Sequence, residues 1–322
     1  MPSPIPCLAM DERLLLGFDI GGTKSAAIVG DTAGNALARE EFATGGPGET
    51  LDRLIDLGRA LSGGEAAACG ISCGGPLDSR EGIILSPPNL VGWDRVAVVQ
   101  TIRDALGIPA ALENNANASA VAEWRWGLGC EIDDLVYLTC STGMGAGIVL
   151  GGRLVRGKQD LAGEIGHVRL LPDGPVGYGK AGSVEGLTSG KALSELARRR
   201  LAEPHEPSHL DRFGPDGISG KAVTAAAIDG DPLAVEVVRE QGDYLGRTCA
   251  VFIDMLNPQR ISLGVAARRL GALLIDPCRE AARREALPAA FEACTIDQAA
   301  LGAAIHDLSA LAIAHDAMER ES

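Results

Sequence analysis

Glu113, Asn114, Asn115 and Asn117 crowd the run ALENNANASA. A primary amide carries two donors and two acceptor sites, so burying several of them is costly unless something polar binds there. A second group stands in FDIGGTK, where Asp19 ends an apolar stretch and Gly21, Gly22 and Thr23 follow before Lys24. Such a turn exposes backbone N–H groups, the threonine hydroxyl adds a donor, and phosphate oxygens are the matching ligand. Asp19 suits Mg²⁺ held through water, because that ion keeps several waters and takes few carboxylates. An ordinary hairpin with its glycines at positive φ would explain the same letters taken alone. A third group, Ser141, Thr142, Gly143 and Gly145 in CSTGMGAGI, is again a glycine turn between apolar runs. It lacks G-K-[ST], and a strand follows it, so it is neither a Walker loop nor a dinucleotide fingerprint. Two such turns, one opening each half of the chain, point to the phosphates of a nucleotide. In GEIGH, Glu164 and His167 lie three apart, close enough on one turn to face a single ligand. Carboxylates and amides are the usual partners of sugar hydroxyls. The plainer alternatives are a surface carboxylate and a satisfied loop histidine.

The elements that must position these groups follow from the hydrophobic pattern. LLLGFDI, SAAIVG and ALAREEFAT read as strands, ETLDRLIDLGRAL as a helix, and ACGIS and IILSP as strands. VAVVQTIRDAL predicts a helix that leads to the strand AALEN. The chain then restarts with DLVYLTC, AGIVLGG and RLVRG, which repeat the strand–turn–strand logic of the N-terminus. From Gly190 it is mostly helical, broken by the polar loop AEPHEPSHLDRFGPDG and the strand QRISLGV. The last helix, AAIHDLSALAIAHDAM, has helically spaced apolar residues and is expected to pack back on the body. This is an α/β pattern with a mixed sheet. It divides into a lobe over residues 13–112, joined by the C-terminal helix 304–320, and a lobe over 113–303. A cleft between two such lobes is the natural ligand site.

Bulk properties exclude other classes. At 322 residues the chain can build two cores, and with 46% apolar but 3% aromatic residues these are made of Ala, Val, Leu and Ile. A net charge of −14 argues against nucleic acid. MPSPIPCLAMDER lacks the basic start and apolar core of a signal peptide. No stretch approaches the ~20 apolar residues of a membrane helix. The cysteines at 7, 69, 73, 130, 140, 249, 278 and 294 form no C-x-x-C pair, which suits core packing in a reducing cytoplasm.

From about Leu14 to the C-terminus the sequence resembles the ROK group of sugar kinases and related repressors, within the actin/hexokinase superfamily. FDIGGTK is similar to its first phosphate motif and LTCSTGMGAGIVLGGRLVRG to its second; GISCGGPLDSREGIILSPPNLVGW resembles the sugar-domain segment, and LAGEIGH is among the family's most specific signatures. The resemblance implies a two-lobed actin-like (ribonuclease H-like) fold and an ATP- and Mg²⁺-dependent kinase. Its acceptor is a sugar hydroxyl, usually that on C6, and homodimers are common. By similarity, Gly75, Asn89, Asn114, Glu164, His167 and Glu185 line the sugar pocket, and Gly264 lies where the backbone passes adenosine.

Three departures stand out. The family's zinc pattern, C-x-C-G-x-x-G-C-x-E, here reads VGYGKAGSVE, with Val176, Tyr178 and Ser183 at the cysteine positions, so no zinc is expected. Tyr178 or Ser183 is the expected hydrogen-bond partner of the His167 imidazole instead. The family motif E-N-D-x-N has its catalytic base where this chain has Asn115, and an amide cannot take up a proton at neutral pH. Loss of general-base help costs ~10²–10⁴ in rate. After RISLG, Val265 and Ala266 replace usual glycines and would narrow the nucleotide pocket. The expectation is therefore a sugar kinase, possessing or having lost its turnover; the alternative is an inactive sugar-binding protein of the same fold. The repressor reading lacks a helix-turn-helix, since only about a dozen residues precede LLLGFDI.

Overall fold

The computed structural model describes residues 13–128, 130–141, 143–214 and 217–321. The signal-peptide reading up to residue 12, Cys7 and the phosphate-turn residue Thr142 lie outside the described residues.

The chain opens with three strands, β1 (Leu14–Ile20), β2 (Lys24–Asp31) and β3 (Ala36–Ala43). β1 and β2 are buried almost throughout, as continuous apolar strands covered on both faces must be. β3, with Arg39, Glu40 and Glu41, is the charged, exposed edge. Helix α1 (Pro47–Ser62) starts with proline in its first turn and stops at Gly63, whose φ of 61° only glycine adopts freely. β4 (Ala68–Cys73), the short hairpin β5 (Leu77–Asp78) and β6 (Ile83–Ile84), α2 (Val98–Leu106), β7 (Ala110–Asn114) and α3 (Asn115–Ala122) follow. The second half runs β8 (Leu135–Leu138), β9 (Ala146–Leu150), β10 (Arg153–Leu154), a small hairpin β11 (Val176–Gly177) and β12 (Lys180–Ala181), then α4 (Val184–Thr188) and α5 (Gly190–Leu201). It ends with α6 (Gly220–Ile228), α7 (Pro232–Leu256), β13 (Arg260–Leu263), α8 (Val265–Leu270), α9 (Ala272–Glu285), α10 (Pro288–Glu292), β14 (Thr295–Gln298) and α11 (Ile305–Glu321).

The chain folds as two compact units. Of the described residues, the first takes those up to Ile132, Gly147–Ala162, and those from Ala303; the second takes those within Asp133–Ala146 and Gly163–Gly302. The first unit holds the sheet β3-β2-β1-β4-β7, antiparallel at β3-β2-β1 and parallel at β1-β4-β7. α1 covers one face and α11 the other. The alternation along β1 is visible in the contacts: Leu16 and Phe18 meet α1 at Gly58, whereas Gly17 meets Ala310 of α11. In β4, a Cβ on Gly70 would sit 2.0 Å from the Ala310 carbonyl oxygen, so helix backbone rests directly on the strand. The second unit holds the parallel strands β8-β13-β14 and a long pair of packed helices, α7 and α9.

Two sequence expectations change. The seam does not fall at residue 113, because fully buried Glu113 is tied to Asn117 and Arg156 and belongs in the core of the first unit; the chain leaves that unit only after Ile132. β14, TIDQ, went unread because a short strand with one buried residue has no apolar run. Among the described residues no helix is long and apolar enough to cross a membrane.

Candidate active site

In the first unit, the Gly21–Thr23 turn is closed by Gly21 N–H donating to the Lys24 carbonyl at 3.1 Å, and the Thr23 carbonyl accepts from Thr44 N–H at 3.0 Å. Neither Gly21 nor Gly22 lies at positive φ, contrary to the ordinary-hairpin reading. Gly22 is required for a different reason: a Cβ there would lie 2.6 Å from the Asn89 carbonyl oxygen. The phosphate-type turn and the sugar-type loop are therefore in direct contact. Lys24 is turned aside, its ammonium paired with Glu41 on the sheet edge. Asp19, on the strand before the turn, has its pKa raised to about 6. Burial is the main cause, and Asp307 and Glu41 add to it, while the Arg39 guanidinium opposes it. A carboxylate desolvated in this way gains from a nearby cation, so the donor chemistry fits Mg²⁺.

The asparagine cluster resolves into two kinds of residue. Glu113 accepts hydrogen bonds from Asn117 Nδ2 at 2.9 Å, from the Asn114 backbone N–H at 3.0 Å and from Arg156 Nε at 2.7 Å. Glu113 and Asn117 are thus consumed inside the protein. Asn114 caps α3, its Oδ1 accepting from Ala116 N–H at 2.9 Å, and its amide nitrogen would be 3.2 Å from a Cβ on Gly75. Asn115, first residue of α3, is the one side chain of the four that is exposed.

In the second unit, Thr139 closes the other glycine turn twice: its N–H donates to the Gly145 carbonyl at 3.0 Å and its hydroxyl accepts from Gly145 N–H at 3.1 Å. Ser141 N–H donates to the Gly143 carbonyl, and the Ser141 carbonyl accepts from Gly190 at the start of α5. Gly264 ends β13 against this turn, where a Cβ would come within 2.6 Å of the Thr139 carbonyl oxygen. Val265 and Ala266, by contrast, sit half-exposed in the first turn of α8. Glycine is obligatory at the first of these positions only.

Glu164 precedes a single helical turn over residues 165–167, which brings its Oε2 to 3.9 Å from His167 Nε2. The imidazole has no hydrogen bond from Tyr178 or Ser183, contrary to expectation. Tyr178 instead stacks flat on it, ring centres 3.9 Å apart and planes 13° from parallel. The Glu185 carboxylate accepts from Met144 N–H at 3.2 Å. Ser183 is fully buried; its hydroxyl donates to the Gly177 carbonyl and caps α4 at Gly186 N–H. Val176 is exposed. Arg156 and Met144 went unread in the sequence, since an arginine reaching back 43 residues and a backbone N–H leave no local signal.

The ROK family model matches residues 15–316. The chain is 34% identical over 281 residues to a glucokinase of Streptomyces coelicolor, covering 84% of this chain and 87% of that one. It is 35% identical over 239 residues to an N-acetylmannosamine kinase of Salmonella arizonae, covering 73% and 77%. The structure matches a ROK glucokinase from Streptomyces griseus, crystallised with glucose and AMPPNP, with a TM-score of 0.77 and 33% identity over 94% of this chain and 99% of that one. The α/β fold is thus the actin-like fold of ROK glucokinases, and the relatives named here are a glucokinase and an N-acetylmannosamine kinase. From residue 15 to residue 316, with both glycine turns and the GEIGH motif in place, the chain belongs to the ROK family.

Proposed function

We propose that the protein transfers the γ-phosphoryl group of ATP to a hydroxyl of a hexose or amino-hexose, at C6. The observation that carries this reading is the contact of the Gly22 turn with Asn89, which sets a phosphate-type cradle against a sugar-type loop within one unit. Similarity to glucose and N-acetylmannosamine kinases, and to a relative bound to glucose and AMPPNP, supports it. Asp19 would hold Mg²⁺ through water; in the first unit the Gly22 and Thr23 N–H groups, and in the second unit the Gly143 turn with the close-packed Gly264, are by similarity the groups for nucleotide. Bound MgATP supplies the phosphoryl group and neutralises its charge. In the first unit Gly75, Asn89 and Asn114, and in the second Glu164, His167 and Glu185, are by similarity the groups for sugar hydroxyls. The Asn115 carboxamide oxygen can accept the hydrogen bond of the attacking hydroxyl and so aim it, but the proton must leave to solvent. Phosphoryl transfer depends chiefly on positioning and charge stabilisation, so slow turnover remains open to this chain. The working form in this reading is a homodimer in a reducing cytoplasm, where the free, mostly buried thiols of the described chain stay reduced.

Asn115 favours one other reading, a sugar-binding protein without turnover. A coupled kinase assay with glucose, N-acetylmannosamine and N-acetylglucosamine separates the two. Asn115→Asp is expected to raise kcat by ~10² or more, the worth of a general base. An aspartate variant as inactive as its parent, in a protein that titrates with sugar and ignores MgATP, would establish the binder.

A further inference from the structure

We propose that Tyr178 is a positioning residue for sugar binding, a side chain whose ring fixes the plane of the His167 imidazole. The inference rests on the reading of Glu164, His167 and Glu185 as sugar-binding groups. Three observations carry it. The phenol ring lies parallel to the imidazole at 3.9 Å, while Glu164 at 3.9 Å is beyond hydrogen-bond reach and the Ser183 hydroxyl is spent on the α4 cap. The same ring packs on the GEIGH turn itself, where a Cβ on Gly166 would come within 3.0 Å of Tyr178 Cε2. The hairpin presenting the ring also grips the histidine backbone, since Lys180 Nζ donates to the His167 carbonyl at 2.6 Å.

The backbone shows that this tyrosine is not placed there for packing. Tyr178 occupies the β11–β12 turn at a φ of 51°, a conformation that costs a side-chain-bearing residue and that its glycine neighbours would adopt freely. Its ring is 52% exposed, so it buries little apolar area in return. What the strained turn secures is the flat contact with the imidazole. The imidazole is thereby held against rotation before any ligand arrives, so the effect belongs to sugar binding rather than to the transfer step.

The test uses full-length protein, wild type, Tyr178→Phe and Tyr178→Leu, with isothermal titration of glucose and N-acetylmannosamine and NMR of the His167 ring protons. In wild type and Tyr178→Phe the imidazole protons are expected to show the upfield shift of a stacked ring, and in Tyr178→Leu to lose it. Tyr178→Phe keeps the ring and is expected to keep the wild-type sugar Kd. Tyr178→Leu should weaken sugar affinity ~10-fold, the order of one aromatic pair, while the KM for MgATP stays at the wild-type value in both. A wild-type sugar Kd in Tyr178→Leu overturns the proposal, and so does an unshifted imidazole in the wild type. If the wild type binds no sugar, the sugar reading falls by itself, and the NMR comparison still decides whether Tyr178 orients His167.

Discussion

Asp19 carries the clearest pH signature in the candidate site. Its carboxyl titrates near 6 rather than 3.8 because burial penalises the charge more than Arg39 repays it. The folded protein therefore holds a proton there that the unfolded chain has released. Stability from this group is full below about pH 3.8 and is lost as pH rises through about 6. Activity runs the opposite way, since only the ionised form can hold Mg²⁺. With subsaturating MgATP, kcat/KM is expected to fall with an acid limb near pH 6, and Asp19→Asn to be inactive across the range. A limb at the ordinary carboxylate value would show that the ionised Asp19 is not what the reaction needs. Asp19, Asn115, Glu164 and His167 could be singled out in the sequence by residue type, short spacing and the family's motifs. The pKa of Asp19 was not legible there, because its causes come from Arg39, Glu41 and Asp307, which only the sheet and α11 bring near.

The junction of β7 and α3 shows what an element can conceal. Four polar side chains there suggested one ligand set, yet the fold spends Glu113 and Asn117 on internal bonds, uses Asn114 as a helix cap and exposes Asn115. The letters could not reveal this division, because it depends on Arg156 arriving from the loop after β10. Glu113 is fully buried, and its removal would strand a guanidinium and an amide that it now satisfies. Breaking a buried ion pair costs about 3–5 kcal/mol, here toward the lower end because Arg156 is partly exposed. Glu113→Ala is expected to lose about 3 kcal/mol in urea unfolding and to weaken sugar binding through the displaced α3 start. Glu113→Gln keeps the size and some of the hydrogen bonds and should lose about 1–3 kcal/mol. Equal stability of the alanine variant and the parent would mean that the corner is held by its backbone alone. The Ser183 cap of α4 is the smaller analogue, with about 1 kcal/mol expected for Ser183→Ala.

The first unit is completed by the last segment of the chain. α11 was read from its helical spacing as a helix that packs back, and the core composition, rich in alanine and poor in aromatics, follows from how closely it does so. Its backbone lies on β4 at Gly70, with the Ala310 carbonyl and the Ala314 N–H at 2.0 and 2.3 Å from where a Cβ would be. That closeness was not legible in ACGISC, since a glycine inside a strand pattern marks a bulge as readily as a close approach. Neither neighbouring atom is the end of a flexible side chain, so a substituent at residue 70 must lift the helix. Overpacking of a filled core costs about 1–3 kcal/mol and more when backbone has to move. Gly70→Ala is therefore expected to lower stability by at least about 3 kcal/mol. The loss should be local. Hydrogen exchange in the variant should show the amides of β1, β4 and α11 losing protection together, while β8, β13 and β14, which belong to the second unit, keep theirs. Uniform loss across both units would show that the second unit cannot remain folded without the first, and unchanged protection at β4 would show that the helix does not rest on Gly70.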